Sequence, residues 1–250
     1  MRIQIISDIH VEQNKDPLSW PVIDSNVDLL ICAGDVSNNP NKSRRYFETV
    51  RQNTKVKILY VLGNHEYWGH DIETAEKEYR DKLSEIEDLV VLQNETIEID
   101  NIIFAGTTFW TDLSNPTEAV AALRNMPDYK FIKSGNLDLH PSETHELHKK
   151  SVEFFKSIDR QGKKVVYITH HAPSFWCSPP EYLNSPINPC FCSSVEDLMD
   201  LTVNPTAPDY WIYGHIHAQN WKKIYDTNLV SCTWGYPQES KPKGKLIIDV

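Results

Sequence analysis

Five short apolar runs in this chain end in side chains that ligate metals or move protons, and this coincidence limits what the chain can fold into. Residues 2–7 run into Asp8-Ile9-His10, residues 28–33 into Gly34-Asp35, and residues 57–62 into Gly63-Asn64-His65-Glu66. Later, residues 165–169 run into His170-His171, and residues 211–213 into Gly214-His215-Ile216-His217. Helical stretches at 43–52 and 71–87 separate the first three runs, which is the pattern of parallel strands joined by right-handed crossovers. In open α/β sheets, ligands bind at the carboxyl ends of such strands.

The rhythm changes after Leu89. Residues 89–92, 96–100 and 102–110 read as strands joined by short turns, as in an antiparallel or mixed sheet. Helices are expected at 116–124 and 141–161, and strands at 164–169, 209–213, 221–225, 228–233 and 245–250. Residues 173–192 break the pattern with five prolines (Pro173, Pro179, Pro180, Pro186 and Pro189) and no period. Phe175, Trp176, Tyr182 and Phe191 lie within this stretch, so it reads as an ordered loop, and long loops in compact domains are often binding lids. No boundary or repeat is visible, so 1–250 is expected to be a single α/β domain with the 173–192 loop overhanging its site.

Charge narrows the partners. Lys and Arg number 25 against 35 Asp and Glu, a formal net charge of −10. The basic pairs are scattered and leave no footprint for long nucleic acid. No secretory signal or membrane-length apolar run is seen, so no membrane partner is expected. The five cysteines are odd in number, with Cys32 and Cys232 inside apolar runs, which argues against a disulfide framework and for a cytoplasmic setting. The composition does not bear on oligomeric state.

If the strand ends are neighbours, Asp8, His10, Asp35, Asn64, His170, His215 and His217 converge. Two carboxylates and four imidazoles packed together without a cation would carry a large desolvation cost. Seven ligands exceed the needs of one ion and suit two that share a carboxylate. A nitrogen and oxygen set without Cys fits manganese, iron, zinc or nickel. Gly34, Gly63 and Gly214 are expected to let the backbone turn sharply so that the ligands point inward.

Taken in order, D-x-H, G-D, G-N-H-E, H and G-H-x-H resemble the signature of the calcineurin-like metallophosphoesterase superfamily, complete from Asp8 to His217. The resemblance implies a four-layer α/β/β/α sandwich of two mixed sheets flanked by helices, with a dinuclear site along one edge. It implies that Asp8, His10, Asp35 and His217 hold one divalent ion, and that Asp35, Asn64, His170 and His215 hold the other. Manganese comes first among the candidate metals, with iron, zinc, nickel or magnesium as alternatives. A metal-bridging hydroxide would attack phosphorus in line, and His65 would be the catalytic proton carrier. Glu66 is either an orienting carboxylate or a structural one.

The protein phosphatase pattern G-D-x-x-D-R is missing here, because Gly34-Asp35 is followed by Val-Ser-Asn-Asn. The chain looks most similar to small microbial members of the superfamily, with an H-H-A-P-S segment, N-x-x-F at Asn188 to Phe191 and [ST]-x-x-x-G-Y at Ser231 to Tyr236. The expected activity is that of a phosphodiesterase on small, nucleotide-like phosphoesters. A phosphomonoesterase, or a nuclease on short single strands, is the alternative. Tyr67, His171 and Phe191 are the candidate substrate contacts, with Trp68, Trp176 and Tyr182 as further aromatics and Arg124 and Lys130 as possible phosphate contacts. Cys190 and Cys192 lack the partners a metal clip would need.

Overall fold

The computed structural model describes residues 1–239 and 244–250. In chain order its elements are β1 (Arg2–Ile6), β2 (Leu29–Ala33), α1 (Pro40–Asn53), β3 (Lys57–Val61), α2 (Ala75–Leu83), β4 (Leu89–Val91), β5 (Glu95–Ile99) and β6 (Ile102–Thr107). They continue with α3 (Pro116–Asn125), α4 (Asp128–Phe131), β7 (Lys133–Ser134), β8 (Leu137–Asp138), α5 (Pro141–Lys156) and β9 (Lys164–Thr169). The last strands are β10 (Tyr210–Tyr213), β11 (Asn220–Ile224), β12 (Thr227–Ser231) and β13 (Leu246–Asp249).

Two mixed sheets stack between helices. The first runs β13-β1-β2-β3-β4, parallel except for β13 at its edge, and the second runs β11-β12-β10-β9-β6-β5, antiparallel only at its two ends. Strand alternation divides the apolar residues between faces. Ile3, Ile5, Leu29, Ile31, Leu59 and Val61 meet Phe104, Val166, Ile168 and Ile212 between the sheets. On the other face of the first sheet, Leu30, Cys32, Ile58 and Tyr60 pack with Tyr46 and Phe47 of α1 and Tyr79 of α2. Tyr167 and Trp211 of the second sheet pack on Phe155 of α5, whose ring stacks on Tyr167 with centroids 4.1 Å apart. Burial on both faces explains why these strands read as unbroken apolar runs.

Three helices start on a polar residue followed by proline. Asn39, Asn115 and His140 each accept a backbone N–H of the first turn, and Pro40, Pro116 and Pro141 follow them. At α5, Glu143 also reaches back to the His140 N–H and completes a capping box. The expected helix over 71–87 is shorter, because Asp71 bridges to Lys133, residues 72–74 form a turn before α2 begins, and α2 ends at Leu83. Similarly, α5 stops at Lys156 rather than 161. Residues 89–91 close the first sheet in parallel with β3, and the antiparallel β5–β6 pair opens the second, so the chain changes sheets between β4 and β5.

Candidate metal centre

The parallel order of β1, β2 and β3, and of β9 beside β10, puts all five motifs along one edge where the sheets meet. Backbone bonds sew the loops together: the Asp8 N–H donates to Gly34 O at 3.0 Å, and the Gly214 N–H to His170 O at 2.9 Å. Two of the bonds that cross between the sheets start from the second sheet's histidines. The His215 N–H donates to the Asp8 carboxylate at 3.0 Å, and His170 Nδ1 lies 2.9 Å from Ala33 O.

The sharp turns fall on the motif side chains themselves more than on the glycines. Asp8 (φ 55°), His10 (46°), Asp35 (55°), His215 (65°) and His217 (46°) are all left-handed. That conformation costs an ordinary residue about 1–2 kcal/mol, and such outliers gather at functional sites. Of the three glycines expected to supply the turns, only Gly34 has a left-handed φ, at 86°. Gly63 is needed for space: a Cβ there would lie 2.1 Å from Asp35 Oδ1.

The side chains converge on two foci that share Asp35. Asp8, His10 and His217 form one group at ligand spacing, and Asp35, His170 and His215 form another. Asp35 Oδ2 is 3.8 Å from His10 Nε2 and 3.4 Å from His170 Nε2. Asn64 joins the second group, its Oδ1 3.0 Å from His170 Nε2. His65 makes a third grouping with His10 and Asp35, its Nε2 3.9 Å from Asp35 Oδ2 and 3.1 Å from the Tyr236 hydroxyl.

The donor set fits a pair of cations. On their outer sides the Nδ1 atoms of His10, His170 and His217 meet Glu12 Oε1, Ala33 O and Glu239 Oε1 at 3.3, 2.9 and 2.8 Å. Such partners fix the N–H on Nδ1 and turn the Nε2 lone pair inward, as around metal-bound imidazoles. Inside, His10 Nε2 faces His217 Nε2 at 3.2 Å, and His170 Nε2 faces His215 Nδ1 at 3.1 Å. Neutral lone pairs that close repel unless a proton or a cation lies between them. Burial pushes the His170 and His217 imidazoles down, but Asp35 lifts the first to about 9, and Asp8 with Glu239 lifts the second to about 10. This buried His/Asp cluster fits a dinuclear metal site.

Four supporting carboxylates stand around it. Glu66 accepts the N–H groups of Asp35, Val36, Ser37 and Gly63 at 2.6–3.0 Å, so it fastens the Asp35 loop and does not orient His65. Burial and the Asp35 charge push its carboxyl up to about 7. Glu12, Asp128 and Glu239 escaped the sequence reading, as did the Tyr236 hydroxyl. Only Glu12, two places after His10, and Tyr236, within the noted G-Y pair, lay near a motif.

A cavity of about 440 Å³ opens on the cluster, lined by Asp35, Asn64, His65, His215 and His217, with Trp68, Tyr182 and Phe191 among its other walls. Phe191 is the one named substrate candidate that reaches it. Tyr67 is buried against Trp110 with its hydroxyl 3.3 Å from Thr108 Oγ1, because the short 3₁₀ turn His65–Tyr67 carries it round to the core. His171 points Nδ1 at Thr108 O, and burial with the adjacent His170 pushes it down to about 3, so it is neutral there. Trp176 is 68% exposed, and neither it nor Arg124 or Lys130 lines the cavity. Cys190 and Cys192 are buried, free, in different core clusters and outside every ligand grouping among the described residues. No helix of the described residues is long and apolar enough to cross a membrane.

The profile of the calcineurin-like phosphoesterases matches residues 1–219. An uncharacterised protein of Acanthamoeba polyphaga mimivirus is 26% identical over 268 positions, covering 96% of this chain and 93% of that protein. Among solved structures, a phosphopantetheinyl hydrolase of Mycobacterium tuberculosis has a TM-score of 0.75 at 18% identity, covering 98% of this chain and 95% of that one. At that identity the likeness is one of fold.

Proposed function

This chain belongs to the calcineurin-like phosphoesterase family, and from that premise we propose that it hydrolyses small phosphodiesters with two divalent ions, manganese first among them. Asp8, His10, Asp35 and His217 would hold one ion; Asp35, Asn64, His170 and His215 would hold the other. When bound, the ions neutralise phosphoryl charge and lower the pKa of coordinated water toward neutrality.

The protein's own groups then have distinct tasks. Asp35 spans both foci and sets their separation. His65 is not needed as a ligand in this scheme, and its Nε2 already pairs with the Tyr236 hydroxyl at 3.1 Å. Its ring is stacked on Trp68 with centroids 3.6 Å apart, so its orientation is fixed. Asp35 and Glu12 raise its proton affinity against the effect of burial. His65 is therefore suited to carry a proton at Nε2 for the departing alkoxide.

The observation that carries the diester reading is the cavity wall. Among the described residues that line it there is no Lys or Arg. Among those residues a monoester dianion at neutral pH finds no fixed side-chain clamp, whereas the single charge of a diester is met by the ions alone. The test is kcat/KM for bis(4-nitrophenyl) phosphate against 4-nitrophenyl phosphate with Mn²⁺ added back after chelation. The diester is expected to lead by at least about tenfold, and Asp35→Asn to abolish both. A lead for the monoester rejects the diester reading, and turnover of neither rejects the hydrolase.

A further inference from the structure

Tyr236 closes the Ser231-to-Tyr236 motif, which holds none of the proposed ligands, yet the chain carries it into the site. Beyond β12 the backbone crosses to the end of β1. Thr233 bridges to Ser7, and the Trp234 and Gly235 N–H groups donate to Ser7 O and Asp8 O, each at 2.8 Å. Gly235 then turns at a φ of 74°, in the left-handed region that glycine enters without strain. Tyr236 is thereby laid beside the first focus, its ring centroid 4.3 Å from that of His10 and 4.8 Å from that of His217. It lines the cavity together with His65.

His65 itself is confined. Its ring is stacked on Trp68 with centroids 3.6 Å apart and meets His10 edge-on at 4.4 Å. Its Nδ1 looks toward Glu12 Oε1 at 3.5 Å, and its Nε2 lies 3.1 Å from the Tyr236 hydroxyl, nearer than to Asp35 Oδ2 at 3.9 Å. Each ring nitrogen therefore faces a group of the protein, and the group at Nε2 both donates and accepts. With a proton on Nε2, the hydroxyl oxygen accepts from it, and the phenolic hydrogen is left to turn toward the cavity.

Resting on the hydrolase reading above, with His65 as proton carrier, we propose that Tyr236 is a catalytic residue: its hydroxyl touches the leaving-group oxygen and passes on the proton that His65 holds. As the P–O bond to that oxygen breaks, the oxygen keeps the electron pair and takes the phenolic hydrogen. The Tyr236 oxygen takes the hydrogen from Nε2 in the same step. An alcohol departs, His65 ends neutral, and Tyr236 is a phenol before and after.

The test compares methyl phenyl phosphate with methyl 4-nitrophenyl phosphate, which share a single charge and a methyl arm and differ in how far the departing oxygen needs a proton. In the Mn²⁺-loaded protein, Tyr236→Phe is expected to lower kcat/KM for the phenyl ester by about 10²-fold, the size of a lost general acid, and to shift the preference toward the nitrophenyl ester by at least about tenfold. Elemental analysis is expected to find the same metal content in variant and parent. An equal loss on both esters overturns the proposal, since a ring that only packs on His10 gives that result. Wild-type rates in mixtures of H₂O and D₂O separate a relay from direct transfer by His65. Two protons moving together bend the plot of kcat against deuterium fraction for the phenyl ester, whereas one leaves it straight; the nitrophenyl ester controls for the protons of the nucleophile. A straight line, or an equal bend for both esters, overturns the proposal, and this measurement decides alone should Tyr236→Phe fold poorly or lose its ions. A wild-type protein that cleaves neither ester fails the hydrolase reading itself, and the relay falls with it.

Discussion

The side-chain amide of Asn64 donates to Asp128 Oδ1 over 2.7 Å, across 64 positions of sequence. The same oxygen accepts the Trp68 indole N–H at 2.8 Å. One buried carboxylate thus fixes which face of the Asn64 amide looks at His170 and keeps Trp68 stacked on His65. Asp128→Ala leaves two donors without an acceptor, at about 1–3 kcal/mol each where buried, and frees Asn64 to turn. Outer partners of ligands are worth about 10–100-fold in affinity or activity. The expected result is one tightly held ion per chain by elemental analysis and a loss of that order in kcat, with Asp128→Asn recovering most of both. An Asp128→Ala protein with two ions and full activity would show that Asp128 only packs.

Gly63 has a clear steric role. A Cβ there would meet Asp35 Oδ1 at 2.1 Å and Asp35 N at 2.6 Å, so the proposed bridging residue itself would have to move. Gly63→Ala is expected to cost about 1–3 kcal/mol by overpacking and to remove both ions. Gly69 is the control: a Cβ there meets nothing within 4 Å, yet its φ is +83°. Gly69→Ala is expected to cost about 1 kcal/mol through backbone strain alone, with metal content unchanged. Melting temperature and metal stoichiometry, measured on both variants, separate the two effects.

How much of this could be read beforehand follows from how each feature is encoded. The central strands were legible because they are buried on both faces, leaving apolar runs with polar ends, and the proposed ligands were legible because they are those ends. The change of sheet between β4 and β5 was not, since Gln93-Asn94 looks like any hairpin turn. Glu12, Asp128 and Glu239 act through single contacts, and Glu239 meets His217 across 22 positions with no repeat or spacing to mark it. Tyr67 follows the Gly-Asn-His-Glu turn two places after His65, and nearness in sequence says nothing about direction: a 3₁₀ turn rotates about 120° per residue. The left-handed backbone at Asp8, His10, Asp35, His215 and His217 leaves no trace in composition, although Asp and His tolerate it better than most.

Metal uptake should be strongly dependent on pH. Without ions, His170 and His217 are lifted to about 9 and about 10 by their carboxylate neighbours. An imidazole raised in this way stabilises the fold fully below its ordinary value of 6.5, and that share is lost as pH climbs through 9 and 10. The Asp8 and Asp35 carboxyls are pulled below their ordinary 3.8 despite burial, so their share is lost only in acid and is constant in this window. The metal-free protein is therefore expected to melt progressively lower from pH 6.5 to 10. Ions must displace the same protons, so Mn²⁺ affinity should rise by up to about tenfold per pH unit for each proton released. Calorimetry in buffers of different ionisation heat counts those protons; affinity that stays flat from pH 6.5 to 9 rejects the scheme.

Glu12 serves two imidazoles at once. Its Oε1 lies 3.3 Å from His10 Nδ1 and 3.5 Å from His65 Nδ1. Burial acts to raise its carboxyl, yet the two histidines hold it down at about 2, so it is ionised throughout the working range. It therefore supports a proposed ligand and raises the proton affinity of the proposed proton carrier. In Glu12→Gln that charge is gone, and the His65 imidazolium becomes a stronger acid. If protonated His65 serves the leaving group, the basic limb of the kcat profile should move to lower pH by up to about one unit. The plateau below that limb should be largely kept, because His10 retains an amide oxygen as partner. A purely structural Glu12 would instead lower kcat evenly at every pH with both limbs unmoved, and the pH profile at saturating diester distinguishes the two.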